Sequence, residues 1–383
     1  MPFYNHQGSI PPKRHTVFKK NEKMLFEQHI SREGFSGIYS NMYHLSMPTQ
    51  LKKIGSFNSI EISKIKHQHK PRHFKTFDIQ NEGNAIDSRI PLLFNDDIII
   101  SNANIGKNMD FFYRNGHYDE LLYIQYGKGS LLTNFGNLNY NEGDYIVIPK
   151  GVIWKFQCTN KTKLLIVESK SAIETPAKYR NRFGQLLESS PFCERDIKVP
   201  ILQKPVDKNG DFLVKVRLED GIQDYIYHKH PFDIVGWDGY FYPWIFNIND
   251  FEPIVGSLHQ PPSVHQTFSG NNFVVCSFVS RLFDFHKDSI PAPYPHSNVD
   301  SDEVIFYSQG DFMSRKGVEN ESVTHHPMGL PHGPQPGKYE ASIGKIKTEE
   351  LAVMIDAFKP LYPTKQSLLI EDDDYPLSWL TSK

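Results

Sequence analysis

The chain has 383 residues, more than one ordinary domain needs, so two domains are expected. Hydrophobic residues make up 39 % and aromatics 13 %, a composition that can fill two cores. With 42 Lys and Arg against 44 Asp and Glu, the balance argues against a nucleic-acid-binding surface, and there is no acidic tail to suggest disorder. Cys158, Cys193 and Cys276 are few and widely spaced. They suggest a reducing compartment and are expected to be buried and inert. The opening MPFYNHQGSIPPKRH has no apolar stretch of the kind that drives secretion, and no run approaches the ~18 apolar residues of a membrane helix. A cytoplasmic location is expected by default.

In chain order, an N-terminal arm carries the basic cluster Lys13-Arg14-His15, expected to be solvated or to pair at an interface. Short apolar or alternating runs follow at Leu121–Gln125, Tyr145–Pro149, Leu164–Glu168, Phe273–Ser280 and Glu303–Ser308, set between Pro, Gly and Asn. This pattern predicts a mainly β sandwich or barrel with few short helices. Weak helical character is expected over Pro176–Leu187. His228 and His230 alternate as in an exposed strand, without a third ligand nearby, and Trp237 and Trp244 are expected in the core. The strongest helix signal is Thr348–Ala357, TEELAVMIDA, where Thr348 could cap and acidic residues fill the first turn. The final IEDDDYPLSWL is expected to dock through Tyr375 and Trp379.

An internal repeat sets the expected architecture. Asp119-Glu120 is followed by Gly127, and Asp302-Glu303 by Gly310; downstream stand Pro149-x-Gly151-x-x-Trp154 and Pro327-x-Gly329-x-x-His332. The copies lie 183 residues apart at the first motif and 178 at the second. We read two copies of one β-barrel, a metal-free one in residues 1–200 with the N-terminal arm and a metal-binding one in residues 201–383 with the helix and tail. In each, the Gly turns the strand that starts near the Glu, and the Pro-x-Gly turn sets the next inward residue opposite it. Where the second copy has His296, Glu303 and His332, the first has Tyr113, Glu120 and Trp154, with His117 too close to its Glu to substitute. Asp302 is expected to be a turn residue.

Two imidazoles and one carboxylate suit a borderline divalent ion such as Fe(II) and leave positions open, as bringing an organic molecule and O2 to one metal requires. A structural site would more often be closed by four side chains.

These motifs resemble the two signature motifs of cupins: His296-Ser-Asn298, Glu303 and Gly310, then Glu321-x5-Pro327-x-Gly329-x2-His332. Asn298 stands for the second histidine of the first motif, and Glu321 for the opening Gly of the second. More closely, IPPKRHTVF (Ile10–Phe18), FDIVGWDGYFYP (Phe232–Pro243), SLHQPPSVHQTF (Ser257–Phe268), PHSNVDSDEVIFY and LPHGPQPG resemble homogentisate 1,2-dioxygenases of the bacterial type. The resemblance implies a bicupin of two jelly-roll barrels with Fe(II) on His296, Glu303 and His332. It implies O2-dependent cleavage of homogentisate to 4-maleylacetoacetate in tyrosine and phenylalanine breakdown.

The resemblance also implies a histidine acting as acid/base, for which His259 matches best. His265 is its rival, because strand alternation would put both on one face. It places His326 against the substrate or in support of a ligand, with His325 a lesser candidate. Where the family has a Tyr near the substrate, this chain has Phe312. Alternatives are the same chemistry on another diphenol, or a non-catalytic bicupin that keeps the metal. Exposed sheet edges favour a homo-oligomer.

Overall fold

The computed structural model describes residues 3–310, 312 and 314–380. The expected strand runs all form strands: Asp119–Tyr126, Asp144–Ile148, Thr162–Ser169, Phe273–Phe278 and Asp302–Gln309. Helix is confined to short turns, with Lys338–Ser342 and Lys365–Leu368 the α-helices among the described residues. The mainly β jelly-roll expectation holds, although the sheets are open and packed on one another.

A nine-stranded sheet is built around Asp144–Ile148, Asp119–Tyr126, Thr162–Ser169 and Ile98–Ile105. A seven-stranded sheet, with Phe112–Asn115 and Ile153–Cys158 at its centre, faces it. Trp154 and Tyr113 point from the second sheet into the space between, where Trp154 Nε1 donates to Glu120 at 3.2 Å. A six-stranded sheet runs in the order Gln266–Gly270, Phe273–Phe278, Leu351–Ala357, Asp302–Gln309, Ser322–His326, Arg72–Lys75. It packs its outer face on the nine-stranded sheet. Tyr123 hydroxyl meets Ser308 Oγ at 2.8 Å and Tyr145 hydroxyl meets Ser277 Oγ at 2.9 Å, so the phenols buried at that contact are satisfied. One hydrophobic core runs through both units, from Ile100 and Leu122 to Val304 and Ile355.

Two helix expectations fail. Leu351–Ala357 is a central strand, paired with Phe273–Phe278 on one side and Asp302–Gln309 on the other. Its apolar run is buried on both faces, and two ladders outweigh the helix preference of Glu, Leu, Ala and Met. Over Pro176–Leu187 only one 3-10 turn forms, at Ala177–Tyr179, and an Arg180–Leu186 bridge folds the remainder back on itself.

Strand pairing also crosses the expected boundary at residue 200. Asn209–Arg217 and Gly221–Lys229 extend the seven-stranded sheet, and Trp244–Asn247 pairs with Asp144–Ile148. In the other direction, Arg72–Lys75 is lent to the six-stranded sheet beside Ser322–His326. Trp237 and Trp244 are fully buried, as expected. Cys276 is buried, but Cys158 and Cys193 are half-buried because both sit near turns; all three are free. His228 is exposed, and His230 packs among Phe112, Phe212 and Phe232. The arm pairs on the chain itself, with Arg14 donating to Tyr39 and the His15 backbone to Glu27. Among the described residues no helix is long and apolar enough to cross a membrane.

Candidate metal centre

Glu303 is the second residue of its strand. His326 stands opposite on one neighbouring strand and Asp356 opposite on the other. Directly opposed residues share a face, so all three side chains point to the inner side of the six-stranded sheet. His296 and His332 lie on two irregular segments above it, joined as an isolated bridge in which each N–H donates to the other's carbonyl at 2.8 Å. Both segments are pinned. Gly329 N–H donates to Asn298 O at 2.7 Å. Met328 N–H, at the centre of the Pro-x-Gly turn, donates to Asp302 Oδ1 at 2.8 Å.

The three expected ligands converge, with one ligand atom of each within 4.8 Å of the others. His296 Nε2 lies 3.7 Å and His332 Nε2 3.5 Å from the nearer Glu303 oxygens. Each imidazole turns its Nδ1 to a backbone carbonyl two residues upstream: Tyr294 O at 3.2 Å for His296 and Leu330 O at 3.3 Å for His332. Those carbonyls can only accept, so Nδ1 of each ring carries a proton, and Nε2, which faces the carboxylate, is the nitrogen left to bind a metal. His332 Nε2 is buried with no hydrogen-bond partner. A buried polar atom left without a partner is costly on its own. One cation with bonds of about 2.0–2.2 Å would satisfy all three groups, so the donor set fits a metal.

Electrostatics agree with that fit. Burial pushes the Glu303 carboxyl up, but the three imidazoles around it outweigh burial and hold it well below the usual carboxylate range. The facing Glu303 raises His296 against the effect of burial. Burial lowers His326 to about 3, so its ring is neutral. His326 is engaged on both nitrogens, Nδ1 at 2.9 Å from Glu303 Oε1 and Nε2 at 3.0 Å from the Tyr375 hydroxyl, and it stacks on His332 at 4.6 Å.

The first copy of the repeat has the same frame with a different filling. Tyr113 and Trp154 are strand partners, as His296 and His332 are. Glu120 has Glu168 opposite on the next strand, as Glu303 has Asp356. There the Arg89 guanidinium lies 2.7 Å from Glu120 and 3.6 Å from Glu168. A fixed organic cation thus neutralises the carboxylates where the second copy has an open, histidine-lined space.

Asp302 is not a turn residue. It is buried, and besides Met328 N–H it accepts from Leu361 N–H at 2.8 Å and from His325 Nε2 at 2.9 Å. Asp119 does the same in the first copy, accepting from Lys150 N–H at 3.1 Å and Ile173 N–H at 3.3 Å and pairing with Arg32. In both copies, therefore, the Asp of Asp-Glu clasps the middle residue of the Pro-x-Gly turn. His325 belongs to this clasp and lies outside the metal group.

His259 and His265 do not share a strand. His259 is in an irregular segment, and His265 ends the 3-10 turn Pro262–His265, because Pro261 and Pro262 cannot enter a ladder. Both line one small cavity with Arg281 and Asp284. His259 is partly exposed, with Nδ1 at 3.5 Å from Asp284 and its ring edge-on to Tyr294 at 5.0 Å. Tyr294 in turn stands 6.4 Å from His296, so one aromatic ring separates His259 from the nearest expected ligand. His265 is buried with Nδ1 unpartnered. Phe312 is buried edge-on to Tyr307 at 4.7 Å.

Asp356, with Oδ1 buried and unpartnered, went unread in the sequence. Aligning the third strands of the two copies on Glu168 would have found it. Burial and the nearby Glu303 raise it to about 7.

Comparison with known proteins bears on what this centre does. The profile described as "Homogentisate 1,2-dioxygenase N-terminal" matches residues 92–248. A protein of Saccharolobus solfataricus, whose provisional name is dioxygenase with no substrate given, is 42 % identical over 386 residues and the alignment covers 100 % of both chains. The chain belongs to the same family as that dioxygenase, and its residues 92–248 are similar to the homogentisate dioxygenase N-terminal model. Homogentisate 1,2-dioxygenases of Bradyrhizobium diazoefficiens and Legionella pneumophila are more distant relatives. The first is 25 % identical over 72 % of this chain and 64 % of its own length, and the second 23 % identical over 67 % and 60 %. The chain thus spans about three fifths of the length of those enzymes. Among solved structures, a cupin 2 conserved barrel domain protein from Leptotrichia buccalis aligns over 79 % of this chain and 100 % of its own, at 13 % identity and a TM-score of 0.36.

Proposed function

We propose that this family member is an Fe(II)-dependent ring-cleaving dioxygenase that converts homogentisate and O2 to 4-maleylacetoacetate. The observation that carries the reading is the convergence of two imidazole Nε2 atoms, of His296 and His332, on the Glu303 carboxylate at 3.7 and 3.5 Å. Two imidazoles and one carboxylate form the ligand set of non-haem Fe(II) oxygenases, which leave positions free for other ligands. Bound iron would bring a diphenol and O2 together and let electron density pass from the ring to O2.

The chain's residues do the rest. His296, Glu303 and His332 hold the ion. A cleft of about 350 Å3, lined by Leu258, His259, Ile290, Tyr294 and Tyr339 and separated from His296 by the Tyr294 ring, would admit one aromatic ring. His259 takes a phenol proton from its place at the mouth of the site, oriented by Asp284. His265 and Phe312 are assigned to the substrate side, and His326, held between Glu303 and Tyr375, supports the carboxylate. Three free cysteines support a cytoplasmic setting.

The test is anaerobic loading with Fe(II), addition of homogentisate, and an oxygen electrode read alongside product absorbance in the ultraviolet. One O2 consumed per maleylacetoacetate formed is the expected result. Stoichiometric iron without uptake would discard homogentisate and keep the metal. His259→Ala should retain iron and lose uptake by about 100-fold or more; full uptake in that variant would remove His259 from the reaction. A second reading, the same chemistry on another diphenol, draws on Phe312, which has no hydroxyl to offer a substrate. A panel of diphenols distinguishes the two.

A further inference from the structure

The last described residues of the chain reach the expected ligands from behind. Ile370–Asp372 runs along Arg72–Lys75, with Lys75 N–H donating to Ile370 O at 2.9 Å and Asp372 N–H to His73 O at 2.8 Å. This fixes the direction of the following turn, Tyr375–Leu377. From there three side chains point back at the centre. The Tyr375 hydroxyl is 3.0 Å from His326 Nε2, Trp379 Nε1 donates to Gly333 O at 3.1 Å, and Ser378 Oγ accepts from Gln335 Nε2 at 2.6 Å. Gly333 follows the ligand His332 directly, and its carbonyl also accepts from the buried Arg315 at 2.6 Å.

His326 sits between a carboxylate and a phenol. Glu303 Oε1, at 2.9 Å from Nδ1, is a carboxylate oxygen and can only accept, so Nδ1 carries the proton. Nε2 of the neutral ring is then an acceptor, and its partner within reach is the Tyr375 O–H. The phenol therefore sets the tautomer of His326, and His326 in turn orients the Glu303 carboxylate.

We propose that the C-terminal segment Ile370–Leu380 is a strap that positions the metal ligands, Tyr375 acting on Glu303 through His326 and Trp379 acting on His332 through the Gly333 carbonyl. The inference rests on the metal-centre reading above and deepens it. Tyr375 and Trp379 are positioning residues and touch no reacting atom. Groups that orient a ligand through a hydrogen bond typically contribute 10–100-fold to metal affinity.

The test uses the full chain and Co(II) as the probe. Co(II) is titrated anaerobically into the unaltered protein, Tyr375→Phe and Trp379→Phe, reading the visible d–d bands and the dissociation constant by chelator competition. Tyr375→Phe removes one oxygen and leaves the ring that packs on Trp379 at 5.2 Å and on His73 at 5.4 Å. It should weaken Co(II) binding about 10–100-fold and move the bands, with the metal-free melting curve of the variant serving as the control for folding. Trp379→Phe should act in the same direction, and it decides the matter if Tyr375→Phe does not accumulate as folded protein. Unchanged affinity and unchanged bands in the folded variants overturn the strap alone. Absence of bands in the unaltered protein removes the metal centre, and the strap with it.

Discussion

The Asp302 carboxylate ties three parts of the chain together: the Pro-x-Gly turn through Met328, the chain after the central strand through Leu361, and the neighbouring strand through His325. Removing it strands two backbone donors and one imidazole, at about 1–3 kcal/mol for each donor that stays buried. Asp302→Ala is expected to lower stability by about 3–5 kcal/mol in urea unfolding, and Asp119→Ala, its twin, by a similar amount. A change below 1 kcal/mol in both would mean that other contacts hold the turns. His265 gives a pH prediction. Burial, with help from Arg281 and His259, lowers it to about 3. Its pKa when unfolded is about 6.5, so between those values the unfolded chain binds a proton that the folded chain refuses. Stability is therefore full above about pH 6.5 and falls as pH drops, by up to about 1.4 kcal/mol per unit. His265→Gln should make the unfolding midpoint less steep between pH 6.5 and 4.5; parallel curves would show that the ring is not kept neutral.

At the level of strands, much was legible and one kind of error recurred. Asp-Glu and Pro-x-Gly repeat because each strand-and-turn unit needs the same clasp. The glycines after each Glu repeat because Gly127 and Gly310 adopt φ of +103° and +110°, with backbone packed where a Cβ would go. That regularity points to Glu303, His296 and His332 as one group, and the fold brings the three together. Leu351–Ala357 was misread because a strand buried on both faces loses the alternation that marks a strand, and its composition then speaks for a helix. The same error hid Asp356, which is visible only once that segment pairs with Glu303. His259 and His265 were assigned to one face by a strand rule that their prolines forbid. The comparison of the two copies carries its own prediction. Arg89→Leu leaves the buried Glu120 without its counter-charge and Glu168 with Arg217 alone, at 3.7 Å, and should cost about 3–5 kcal/mol. Co(II) bands should stay unchanged, because the centre lies in the other copy. Altered bands would mean that the two copies communicate.

Across the whole molecule, strands are exchanged in both directions over residue 200, and one core serves both units. Residues 201–383 expressed alone should therefore fail to fold. They would carry Asn209–Arg217 without Phe112–Asn115 and Ser322–His326 without Arg72–Lys75. A soluble fragment with native-like circular dichroism and a cooperative transition would restore the two-domain division. The strand Leu51–Ser59 ends the seven-stranded sheet with Leu51, Ile54 and Phe57 exposed. An edge strand with three exposed apolar side chains favours pairing with another copy despite Lys52 and Lys53, so light scattering should report a homo-oligomer, and a monomer would refute it.

His73 and Asp372 are hydrogen-bonded across 299 positions of sequence, with the His326 strand on the other side of Arg72–Lys75. On a ribosome adding roughly 5–20 residues per second, the first partner would wait about 15–60 s for the second. Until then the backbone edge of Arg72–Lys75 that will face Ile370–Asp372 stays open. If the proposed centre binds metal, capture at full affinity awaits the synthesis of Ile370–Leu380, and a chain stopped before that segment would carry its three ligands with nothing behind them.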